Sequence, residues 1–89
     1  MSNSPFINQY AAAKDEVRKQ APNLSQGACL KLCHELTLSL GGRCADKRTR
    51  AYKFTMDELF NLCRRAQPIE VLRQWDDAAM EAAANRKAA

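Results

Sequence analysis

At 89 residues with a net charge of +4, the chain is expected to form one small domain that buries only about 60–65% of its unfolded surface. That size leaves little room for a large catalytic cleft. With 46% hydrophobic and 27% charged residues and only three Gly and three Pro, the composition excludes a disordered chain. Val17, Val71, Ile7 and Ile69 are the only β-branched aliphatic residues, whereas alanine is abundant, so helices rather than strands are expected.

The first helix is expected over residues 5–20. Ser4 is placed to cap it, and Pro5 suits the first helical position, where a missing N–H costs nothing. Phe6, Ile7, Tyr10, Ala13 and Val17 give it an apolar face, and Asp15 with Lys19 makes an i,i+4 pair on the opposite side. Ala21-Pro22-Asn23 ends it.

The second helix is expected over residues 25–40. Cys29, Leu32, Cys33, Leu36 and Leu40 share a stripe, and Leu30 and Leu38 lie off it. A helix apolar on more than one side is usually central in a bundle. Gly41-Gly42 stops it, because glycine adopts the left-handed conformation that closes a helix.

For the third helix, Thr55-Met56-Asp57-Glu58 reads as a capping box, with Phe54 and Leu59 as the hydrophobic staple around it. Met56, Leu59, Phe60, Leu62 and Cys63 supply its buried face, and Arg64 and Arg65 suit its C-terminal dipole. After the short Ala66-Gln67-Pro68 corner, a fourth helix is expected over 68–85, with Val71, Leu72, Trp75, Ala78, Ala79 and Ala82 along its face. Residues 1–4 and 86–89 are expected to fray. The fold class is therefore all-α: a small four-helix domain with helix two at its centre and Trp75, Phe60, Leu59, Leu36 and Leu32 anchoring the core.

Charge is concentrated in the connector between helices two and three. Residues 42–53 hold five cations (Arg43, Lys47, Arg48, Arg50 and Lys53) against the single anion Asp46. The chain has fourteen basic and ten acidic residues in all, so the other 77 are balanced at nine and nine and the whole net charge resides here. The segment leads into a helix N-terminus, where unpaired N–H groups already favour an anion, and phosphate satisfies both. Tyr52 and Phe54 interleave with the cations as stacking side chains do in single-strand binders. The phosphate-contacting set expected is Arg43, Lys47, Arg48, Arg50, Tyr52 and Lys53. A plain solvated loop or a protein-contact loop gives the same pattern.

Other chemistry is poorly supported. Cys29 and Cys33 stand one turn apart, with Cys44 and Cys63 elsewhere, but the close-set pairs of zinc motifs are absent, and core packing of reduced thiols fits better. His34 is adjacent to Cys33, and neighbouring helical residues diverge by about 100°, so they form no nucleophile–base pair. Gly41-Gly42 with Lys47-Arg48-Thr49 lacks the glycine before the lysine and the preceding strand of a phosphate loop. Asp76-Asp77 reads as a solvated face. Helices three and four have the lengths of a helix-turn-helix, but the turn carries Pro68 instead of glycine, and helix four offers only Arg73 and Gln74 to a groove.

The expectation is a non-enzymatic protein with no metal and no cofactor. Its leading reading is a nucleic-acid-associated regulatory or accessory protein. The alternative is a protein-interaction module, a small inhibitor or adaptor of the kind a phage or plasmid encodes, whose basic segment meets an acidic protein surface. Self-association into a homodimer through helix four, around Met80 and Ala83, is a further expectation. No basic region followed by an apolar run opens the sequence, and no apolar stretch reaches membrane-spanning length, so a cytoplasmic location without membrane contact is expected.

Overall fold

The computed structural model describes residues 5–88, and the side chains of 6–86. Among these residues there are four α-helices and no strand: α1 Pro5–Gln20, α2 Gln26–Ser39, α3 Arg50–Arg65 and α4 Ile69–Ala88. Short 3-10 turns at Ala21–Asn23 and Gly42–Ala45 join the first three. The Ser4 cap lies outside the described residues. α2 begins as its sequence implies, with the Ser25 hydroxyl accepting from the Ala28 N–H at 3.2 Å. It ends before Gly41 and Gly42, whose φ of +76° and +56° is the region where a side chain is strained and glycine is not.

The start of α3 is six residues earlier than its capping box implies. Thr49 is the cap: its hydroxyl accepts from the Tyr52 N–H at 3.2 Å. The supposed box is dismantled because each member has a stronger engagement elsewhere. Thr55 is 4% exposed and faces the Cys44 sulfur at 3.5 Å, and Glu58 accepts the Tyr10 hydroxyl from α1. Phe54 is no staple, being 64% exposed. Starting at Arg50 turns Ala51, Tyr52 and Thr55 inward, whereas a start at Thr55 would leave all three on an uncovered loop.

α3 rather than α2 holds the central position, since it packs on α1, on α2 and on both 3-10 turns. Its inward stripe of Thr55, Leu59 and Cys63 meets Cys29, Cys33 and Thr37 of α2 and Ala13, Val17 and Ala21 around α1. α2 is buried along a narrower strip than its leucine content implies, and Leu30 is 42% exposed. The buried Thr37 hydroxyl is satisfied by donating to the Cys33 carbonyl at 2.6 Å, the i−4 back-bond that lets threonine sit inside a helical core. Of the expected anchors, Leu59 and Trp75 are buried, while Phe60, Leu36 and Leu32 pack against the core half-covered.

α4 joins this core only through its first two turns. Val71, Leu72 and Trp75 pack inward, with the Trp75 ring stacked on Phe60 at a centroid distance of 5.9 Å. Arg64 pairs with Asp76 at 3.1 Å, and both Asp76 and Asp77 are exposed, as a solvated face implies. The corner is fastened by Gln67, whose buried amide donates to the Ala21 carbonyl at 2.6 Å. Beyond that, Ala78, Ala79 and Ala82 are exposed, contrary to the apolar face expected of them, because no other element reaches them. The helix nevertheless continues through residues 86–88, where fraying was expected. This projecting segment explains a Cα radius of gyration of 14.8 Å, against about 12 Å for a compact chain of this length. On α1, Asp15 pairs with Arg18 at 3.0 Å instead of Lys19, and Phe6 and Ile7 remain exposed.

Candidate nucleic-acid interface

The basic segment is not a loose loop. Its first part is the 3-10 turn Gly42–Ala45, its middle a tight turn, and its last part the first turn of α3. Two side chains hold it in place. Cys44, 3% exposed, inserts beside Thr55 with its sulfur directed at the Ala51 carbonyl. The Thr49 hydroxyl lies 2.6 Å from the Arg43 carbonyl and 2.9 Å from that of Asp46, donating to this pair while it caps α3. One threonine thus fixes both the shape of the turn and the start of the helix. Neither Thr49 nor Cys44 belonged to the site expected from sequence; the N-cap preference of threonine one residue before a helix-compatible run was the available signal for the first.

The structure brings the five cations onto this platform, and all five are exposed. Arg43 extends from the 3-10 turn, Lys47 and Arg48 from the following turn, and Arg50 and Lys53 from α3. Asp46 is consumed locally: its carboxylate accepts from the Arg48 guanidinium at 3.2 and 3.3 Å and from the Arg48 N–H at 3.0 Å. These bonds lower the Asp46 pKa below the usual carboxylate value. Among the described residues, Arg43, Lys47, Arg50 and Lys53 have no acidic partner within ion-pair distance. Four uncompensated cations therefore surround the N-terminus of a sixteen-residue helix, where the backbone dipole adds positive potential of its own.

The two aromatic residues, both expected to interleave with the cations, are placed differently. Tyr52 is half-buried, and its hydroxyl is hydrogen-bonded to His34 Nδ1 at 2.6 Å, with the rings edge-on at 5.7 Å. It ties α3 to α2. Phe54 is the exposed ring beside Arg50 and Lys53, four residues after Arg50 and hence on the same side of the helix.

The cysteines form a separate, wholly interior group. Cys29, Cys33 and Cys63 are 0% exposed and free, and the Cys33 and Cys63 sulfurs lie 3.4 Å apart. Burial pushes the Cys29 thiol up to about 12. The Cys33–Cys63 hydrogen bond pushes the Cys63 thiol up, with burial adding to it, and favours a thiolate on Cys33. No group of three or more His, Cys, Asp or Glu side chains among the described residues is arranged to hold a metal ion. No helix among them is long and apolar enough to cross a membrane. No family model, no curated protein and no solved structure matches this chain.

Proposed function

We propose that this chain is a small nucleic-acid-associated regulatory or accessory protein that binds phosphates through Arg43, Lys47, Arg48, Arg50 and Lys53. The observation that carries the reading is the platform at the start of α3: among the described residues, four exposed cations lack an acid partner, and the one acid of the segment is spent on Arg48. A basic segment that exists only to keep a loop in water needs no rigid backbone. Here a buried cysteine and a capping threonine hold the backbone in place. Cations carried on a backbone already held in place lose less backbone freedom when phosphate arrives. Such contacts position and attract, with little dependence on base sequence.

The test is fluorescence anisotropy with labelled oligonucleotides, comparing the wild type with the triple variant Lys47→Glu, Arg50→Glu, Lys53→Glu. Binding through about four phosphates should weaken roughly a hundredfold between 50 and 200 mM salt, and the variant should not bind. Glutamate near a helix N-terminus suits the dipole, so the variant should stay folded, as circular dichroism will show. Absence of wild-type binding at low salt would overturn the reading.

A second reading is a protein-interaction module whose basic segment meets an acidic protein surface; its homodimer through α4 is supported by the uncovered distal half of that helix, where Met80 is 71% exposed. Light scattering at high concentration tests the homodimer, and a monomer throughout would remove it.

A further inference from the structure

Resting on that phosphate-binding reading, we propose that the outward face of α3 is a recognition surface for B-form duplex DNA, with phosphate contacts at both ends and base-edge contacts between them. The exposed residues of α3 fall on one face: Arg50, Lys53, Phe54, Asp57, Asn61 and Arg65. At about 1.5 Å per residue, Arg50 and Arg65 stand roughly 22 Å apart along the helix. The N-terminal end is the platform already described. At the C-terminal end, Arg65 lines a groove between α1 and α3 together with Lys14, Arg18, Glu58 and Asn61. Two of its charges are engaged within the protein, Arg18 with Asp15 and Glu58 with the Tyr10 hydroxyl. Lys14 sits over the Tyr10 ring at 4.5 Å, and neither it nor Arg65 has an acid partner among the described residues. Arg64 does not contribute, being held by Asp76.

This layout distinguishes between nucleic-acid forms. A single strand offers one backbone, and the platform alone satisfies it. Two cation groups at opposite ends of one exposed helix match two backbones, and a helix about 10–12 Å across fits the B-form major groove, about 12 Å wide. The major groove of A-form RNA is too narrow for that entry. Between the cations stand groups suited to base edges: Asn61 for adenine, Asp57 for the cytosine amino group and Phe54 for a thymine methyl.

The experiment compares a 20-base-pair DNA duplex, either of its single strands and the same duplex in RNA, by anisotropy over a salt series. The proteins are the wild type, Lys14→Glu/Arg65→Glu, and Asp57→Ala/Asn61→Ala, each checked for folding by circular dichroism. The wild type should bind the DNA duplex at least about tenfold more tightly than the other forms. Lys14→Glu/Arg65→Glu should lose about tenfold or more, and its log–log salt slope should fall by about two. Asp57→Ala/Asn61→Ala should keep its affinity for mixed-sequence duplex while losing whatever preference the wild type shows in a randomised duplex pool. Equal binding of single strand and duplex, or an unchanged affinity in Lys14→Glu/Arg65→Glu, would overturn the duplex proposal and leave the platform reading standing. No binding to any form would overturn both.

Discussion

α3 and the distal half of α4 are both exposed to solvent along one side, and they differ in what lies on the other. α3 presses Thr55, Leu59 and Cys63 into the core and is thereby held in place while its outer side shows exposed charge. Beyond the Asp76–Arg64 pair, the described side chains of α4 are uncovered, its alanines and Met80 among them. Helical propensity favours both segments, but only packing on a partner surface converts a helix into a stable platform. In this chain that places the candidate site on α3 and leaves distal α4 free to vary, or to meet a partner.

The comparison can be broken most forcefully in the core. Leu59→Ala, at a position with no exposure, should cost about 3 kcal/mol in urea unfolding; a cost below about 1 kcal/mol would mean that α3 is not the hub. Next comes alkaline pH. The Cys29 thiol is held neutral by burial up to about 12, while in the unfolded chain it ionises from about 8.5. The unfolded state thus loses its proton first, so stability should be level through neutral pH and fall progressively between about 9 and 12. Cys29→Ala should reduce that alkaline slope, and an unchanged slope would contradict the assignment. Thr49→Ala should cost about 1 kcal/mol as a lost cap and loosen the turn that aims Arg43 and Lys47. Hydrogen exchange of the Tyr52 amide, whose acceptor is removed, reads this directly. The smallest effect belongs to α4: Met80→Ala should change stability by less than about 0.5 kcal/mol, and a larger loss would show that this segment is covered after all.

Much of this was legible from residue order. Helix number, the start of α2 near Ser25, the Gly41-Gly42 stop and the concentration of positive charge all follow from local chemistry, and local chemistry is what a sequence displays. The start of α3 was not, because Thr49 and Thr55 both satisfy the preferences of a cap. What decides between them is tertiary: Cys44 and Tyr10 engage Thr55 and Glu58 from other elements. The same displacement accounts for the two aromatics: with residues 50–54 in the first turn of a helix instead of a loop, Tyr52 faces α2 and Phe54 faces outward. The alanine face of α4 failed for a different reason. Periodicity reports which residues share a side, and only the fold decides whether anything comes to cover it.

The central claim is that the start of α3 is a phosphate-binding platform. The most direct measurement is the salt dependence of DNA affinity for the wild type beside Lys47→Glu, Arg50→Glu, Lys53→Glu. The account predicts a steep log–log slope on duplex, about −3.6 from the four platform contacts alone and about −5.4 when Lys14 and Arg65 also engage, abolished with the binding itself in the variant. A flat slope, or equal affinity in the folded variant, would contradict it.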